Sequence, residues 1–228
     1  MSAKRLIVLT DEGCEKPFQD MFDQILGRVP DSLTKDDVLL LEGGTDIDPS
    51  YYNDSFGSFC YLPNQHRDVK EHTYIKQFIA VGGKILGICR GAQWACIAAG
   101  GTLIQHVTGH GNWHGHTIQV PAPDGRADFM VASTVHHQMM YPFMLPKDHF
   151  DLLGWTPRKL STRYLDGKDR DFPIGQNNTA FKEPEIVWFP KIQALAIQGH
   201  PEYMKIREKF VKHSRKLVQS YLLEEVVE

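Results

Sequence analysis

Short apolar runs alternate with amphipathic stretches along the chain. Arg5 to Thr10, Asp37 to Glu42 and Lys84 to Cys89 are apolar at consecutive positions, the pattern of strands covered on both faces. His116 to Val120, Phe129 to Ala132 and Gln193 to Gln198 read as further strands. Between them, Pro17 to Leu26 sets Phe18, Met21, Phe22, Ile25 and Leu26 at helical spacing, and His66 to Val81 and Arg90 to Ala99 also predict helices. Tyr203 to Leu223 places Ile206, Phe210, Val211, Leu217, Val218, Tyr221 and Leu222 roughly on one helical face.

Strands alternating with helices predict βαβ units, and hence an α/β fold around a central, mostly parallel sheet. Residues 102–140 carry strands without long helices, which predicts an antiparallel extension. Residues 145–190 mix prolines with charges of both signs and read mainly as loop-rich covering structure. With 228 residues, no internal repeat and no linker-like stretch, one domain over 1–228 is the expectation.

Charge narrows the partners. Twenty-five basic against 28 acidic residues give a net charge of −3, which disfavours a nucleic-acid binder that depends on an overall positive field. No apolar run reaches the ~18 residues that a membrane span needs. Met1 to Arg5 leads into only four apolar residues, too few for a signal-peptide core, so a cytoplasmic setting with reduced cysteines is expected.

The strongest local signal is Gly87-Ile88-Cys89-Arg90-Gly91, between an apolar strand and a helix of small residues. It has the form of a nucleophile elbow, with cysteine at the nucleophile. A sharp strand-to-helix turn crowds the positions two before and two after the nucleophile, and glycine fills both. The sulfur then stands at a helix N-terminus, whose partial positive charge favours an anion, and the Arg90 N–H points where an oxyanion would form. Gln198-Gly199-His200-Pro201-Glu202 follows the last apolar strand. Residues i and i+2 of extended backbone project to the same side, so Glu202 can orient the His200 ring while His200 serves Cys89. Strand C-terminal ends gather at one edge of a parallel sheet, where Cys89 and His200 can meet.

Other features carry less. His106, His110, His114 and His116 suggest a metal cluster, but interleaved glycines and the lack of a cysteine pair disfavour it, and no metal is expected. Gly43-Gly44-Thr45 lacks the Gly-Lys-Ser/Thr continuation of a phosphate loop. Cys14 and Cys60 read as packing or exposed thiols. The amphipathic C-terminal stretch is expected to pack on the sheet, with a homodimer interface as the second reading.

Taken together, four blocks resemble the class I glutamine amidotransferase superfamily, and most closely the branch that includes γ-glutamyl-γ-aminobutyrate hydrolase. They are Gly43-Gly44-Thr45-Asp46-Ile47-Asp48-Pro49-Ser50-Tyr51-Tyr52, Arg67-Asp68 with Glu71, Gly87 to Gln93 continued by Gly100-Gly101-Thr102-Leu103 and Gln105, and His200-Pro201-Glu202. The resemblance implies a flavodoxin-like sandwich with Cys89, His200 and Glu202 as catalytic triad and Gly44 and Arg90 as oxyanion hole. It implies a substrate pocket of Gly43, Gln93, Val135 and His136, the last two within a Ser-x-His-x-Gln-like block, Thr134 to Gln138. It implies hydrolysis of a γ-glutamyl amide without a cofactor. The alternatives are a glutaminase subunit feeding ammonia to a separate synthetase chain, and a non-catalytic binding or regulatory module. Three departures from the family pattern carry expectations. Cys96 replaces an asparagine, the bulk of Trp94 either packs or narrows the site, and Gly199 replaces an aromatic residue and opens space beside the base.

Overall fold

The computed structural model describes residues 3–10, 12–174 and 181–224. In chain order the first half holds strands β1 (Arg5–Val8), β2 (Gln24–Leu26) and β3 (Asp37–Leu41), helix α1 (Gln65–Ala80), strand β4 (Lys84–Ile88) and helix α2 (Arg90–Ala98). There follow β5 (Thr102–Ile104), β6 (His106–Val107), β7 (Gly111–Pro121), β8 (Ala127–Val135), β9 (Met139–Tyr141) and β10 (Asp151–Trp155). The chain ends with β11 (Tyr164–Leu165), β12 (Pro184–Phe189), β13 (Ala194–Ile197) and helix α3 (Lys209–Leu217).

Nine strands form one sheet in the order β2-β1-β3-β4-β13-β12-β10-β7-β8. From β2 to β13 every neighbour is parallel, and from β13 to β8 every neighbour is antiparallel. The fold is therefore α/β with a central parallel sheet and an antiparallel extension, as the strand pattern predicts. Consecutive apolar positions have a simple cause. Leu6, Val8, Val38, Leu40, Leu86 and Ile88 face α3 and its Phe210, while Ile7, Leu39, Leu41 and Ile85 face α1 and α2 through Ile75, Phe78 and Trp94. Each such side chain contributes about 1.5–3 kcal/mol by leaving water, so both faces of these strands select apolar residues.

Three expectations change. Pro17 to Leu26 is not a helix: a single 3₁₀ turn, Gln19–Met21, leads into edge strand β2. Phe18 and Phe22 still enter the core, but Ile25 is exposed, so the apolar spacing serves a turn and a strand rather than one helical face. Residues 145–190 are less loop-like than expected, because they supply β10, β11 and the buried interior strand β12. The C-terminal stretch is not one helix over Tyr203 to Leu223: after a 3₁₀ turn at Pro201–Tyr203, residues 204–208 are non-helical and Ile206 is exposed, and only then come α3 and a π-helical turn, Val218–Leu223. Among the described residues no helix is long and apolar enough to cross a membrane.

Candidate active site

Three adjacent parallel strands end at one edge. Gly43 and Gly44 lie just beyond β3, Cys89 directly follows β4 and His200 follows β13. Cys89 has φ 52° and ψ −105°, a conformation that a residue with a Cβ rarely adopts. Its N–H donates to the Ile197 carbonyl at 2.8 Å, which ties the elbow to β13. A Cβ on Gly87 would overlap the Gly91 carbonyl, and one on Gly91 would overlap the Leu41 carbonyl. The two glycines let β4, α2 and β3 approach closely enough to hold that turn.

His200 is fixed from three sides. Its N–H donates to the Ser133 carbonyl at 2.7 Å, its Nδ1 meets Glu202 Oε1 at 2.6 Å, and the Tyr203 ring stacks on it at 4.6 Å between centroids. Burial opposes the charged imidazole. Hydrogen bonding and charge from Cys89 and Glu202 outweigh it, and the pKa rises to about 10. The structure thus brings Cys89, His200 and Glu202 together. Gly43 adjoins them: a Cβ there would lie 3.0 Å from His200 Cε1 and 3.9 Å from Cys89 Cβ. Arg90 is the first residue of α2, where backbone N–H groups have no partner within the helix.

The residues expected to line the pocket divide. Gln93 Nε2 donates to the Gln138 carbonyl at 3.3 Å, and His136 Nδ1 meets the same carbonyl at 2.8 Å. Val135 is half-buried at the end of β8. His136 is buried, and its other nitrogen faces Glu185 at 3.7 Å. Glu185 Oε1 also meets His116 Nε2 at 2.8 Å and His110 Nδ1 at 3.1 Å. His110, His136 and Glu185 present ligand atoms within 4.8 Å of one another, but the carboxylate oxygen itself occupies the point on which the imidazoles converge. Burial opposes charge on His110, yet Glu183 and Glu185 raise it to about 9. Burial lowers His136 to about 4. Of the four histidines noted between 106 and 116, only His110 and His116 join this cluster. His106 stacks on Phe59 and His114 is exposed.

Several site features were not visible as such in the sequence. Cys14 is buried, and its thiol donates to Glu202 Oε1 at 3.2 Å. Burial first, and Glu202 second, push that thiol well above its usual range, so it stays a neutral donor. Arg67 Nη2 donates to the Gly43 carbonyl at 2.8 Å and to the Glu42 carbonyl at 3.2 Å. No local sequence signal marks Cys14, whose partner lies 188 residues away, and only the Arg67-Asp68-x-x-Glu71 spacing hints at the arginine. The departures also resolve. Trp94 packs between Tyr51 and His72 in the core, and Cys96 is buried beside it. Gly199 opens no space, because the Phe210 ring from α3 fills it: a Cβ there would lie 2.9 Å from Phe210 Cζ.

The architecture is the class I glutamine amidotransferase fold. The Peptidase C26 model matches residues 26–141, and the chain belongs to that family. A glutamine amidotransferase-like protein of Lactococcus lactis is 30% identical over 193 residues, covering 81% of this chain and 74% of the relative. A Mycobacterium tuberculosis protein, provisionally described as a glutamine amidotransferase, is 36% identical over 91 residues, which are 40% of this chain and 29% of that protein's length. A crystal structure of a Thermoplasma acidophilum protein, provisionally described as one subunit of a GMP synthase, superposes with a TM-score of 0.58 at 16% identity, covering 97% of this chain and 94% of that one.

Proposed function

We propose that Cys89, His200 and Glu202 act as a triad that hydrolyses a γ-glutamyl amide through a γ-glutamyl thioester. The observation that carries this reading is His200, held at 2.6 Å by Glu202 and lying with Cys89 against Gly43, while Cys89 itself adopts an elbow conformation. The Cys89 thiolate attacks the γ-carbonyl carbon, and the developing oxyanion is received by the N–H groups of Gly44 and Arg90. The His200 imidazolium gives its proton to the leaving nitrogen as the C–N bond breaks, and ammonia or an amine departs. Its pKa of about 10 keeps this acid stocked at neutral pH. Neutral His200 then takes a proton from water, hydroxide adds to the thioester, and glutamate leaves with the thiolate restored. Gly43, Gln93, Val135 and His136 are proposed to shape the glutamyl side of the pocket.

The second reading is a glutaminase subunit that delivers ammonia to a separate synthetase chain. It is favoured by the fold shared with the Thermoplasma protein described as part of a synthase. An exposed apolar loop lies beside Thr45, where Phe56 and Leu62 line an open groove. Amine release from glutamine and from a panel of γ-glutamyl amines, with Cys89→Ala as blank, separates the readings. Strong Cys89-dependent turnover of one substituted amide supports the free-standing hydrolase. Weak hydrolysis of glutamine alone supports the ammonia-delivering reading. No release from any substrate refutes the catalytic reading of the isolated chain.

A further inference from the structure

We infer that Glu71 is a positioning residue that aligns both halves of the oxyanion hole at once. This rests on the thioester reading above and adds a part to it. The Gly43–Gly44 peptide bond is trans and planar, so its C=O and N–H point in opposite directions. Arg67 Nη2 holds the C=O end at 2.8 Å and thereby fixes where the Gly44 N–H is aimed. Gly44 itself adopts φ +144°, and a Cβ there would overlap the Arg67 guanidinium. The peptide therefore sits against the arginine with no side chain between them.

The second donor, the Arg90 N–H, is anchored through its own side chain. The Arg90 guanidinium is buried beneath the elbow and pairs with Asp68 and Glu71. Glu71 divides its carboxylate between the two arginines: Oε1 receives Arg67 Nε at 2.7 Å and Oε2 receives Arg90 Nη1. Asp68 is also shared, between Arg90 Nη2 and the Asp48 N–H at 3.1 Å. Arg67, Asp68 and Glu71 stand at positions i, i+1 and i+4 of α1, so one rigid helix carries the whole bracket. Two positive and two negative side chains balance. Burial of such a network is costly, and well-packed apolar side chains would serve stability as well or better. The network ends instead on the two peptide groups that must face a developing negative charge. Donors fixed before the reaction need no reorganisation when the oxyanion forms.

The test is Glu71→Gln, which keeps the shape and removes the charge, with Arg67→Lys as the milder second variant at a partly exposed position. Three quantities are measured: kcat and KM on the amide that the wild type turns over, and the rate of Cys89 alkylation by iodoacetamide. Alkylation uses the same sulfur but forms no oxyanion. For both variants kcat is expected to fall roughly 10- to 100-fold, with KM and the alkylation rate each held within about 3-fold. If Glu71→Gln does not fold, as judged by circular dichroism, Arg67→Lys decides. An unchanged kcat, a rise in KM alone, or alkylation that falls in step with kcat overturns the inference while the thioester reading stands. A wild type that releases no amine, yet alkylates at Cys89, overturns the thioester reading and this inference with it.

Discussion

At Cys89, local strain and chemistry coincide. Asn53 and Gln193 also have positive φ, but they sit in the left-handed region at the ends of 3₁₀ turns, where the cost is small. Cys89 pairs φ 52° with ψ −105°, and such conformations cost about 1–3 kcal/mol. The expected return is selective reactivity. Cys14 and Cys96 are buried, and burial pushes their thiols up, Cys96 to about 12. Cys60 is more accessible, yet burial and then Asp46 push it to about 12 as well. Iodoacetamide at pH 7.5 is therefore expected to modify Cys89 first, followed by peptide mass mapping. His200→Ala is expected to slow that labelling about tenfold or more, since the imidazolium partner is gone. Labelling of Cys60 ahead of Cys89 would show that the elbow confers no special reactivity.

Legibility from sequence differed by element. The β4–α2 elbow was readable because all its determinants are local: an apolar strand, two glycines and small helical residues, all between Lys84 and Ala98. Helix α1 was readable from its period, and its N-cap, Asn64, accepts from the Arg67 N–H. Strand β12 was hidden, because Glu183 and Glu185 make its entry look solvent-facing. Both are buried, and their partners lie far away in sequence: His110, His116 and Tyr164. Residues 17–26 failed for the opposite reason, since a turn followed by a strand placed its two phenylalanines inward much as a helix would have. The β12 cluster makes a prediction at the scale of this element. Glu185→Gln removes the charge on which three imidazoles converge, and breaking a buried ion pair from one side costs about 3–5 kcal/mol. Urea unfolding should show a loss of that order. A loss below about 1 kcal/mol would mean that the cluster is held by shape and neutral hydrogen bonds rather than by charge.

The whole sheet turns on the β4–β13 pair, the last parallel pairing, after which the antiparallel strands begin. Ile88 lies opposite Ile197, so the cysteine and histidine of the site leave from matched ends of neighbouring strands. His110, His136, Glu183 and Glu185 lie on the antiparallel side of this seam and His200 at its edge, and their titration ties the stability of the molecule to pH. His200 and His110 have folded pKa values of about 10 and about 9, above the 6.5 of a free histidine. Their contribution is complete below about pH 6.5 and is lost as pH rises through 9 and 10. His136 is shifted down, to about 4, so its neutral form is favoured on folding, and that contribution is lost as pH falls from about 6.5 toward 4. Glu183, lowered to about 2 by His110 and Tyr164 against the opposing effect of burial, contributes above about 4.5 and loses this as pH falls through 2. Glu185 shifts in the same direction. Opposing slopes on the two sides of pH 6.5 predict a stability maximum near that pH. Thermal unfolding from pH 4 to 10 should give a Tm that declines on both sides. His200→Ala should flatten the alkaline decline and leave the acid decline in place, because the His200 contribution changes only above pH 6.5. An alkaline decline of undiminished slope in that variant would assign the loss to His110 and its two glutamates, and would remove the charged His200 from the energetics of the fold.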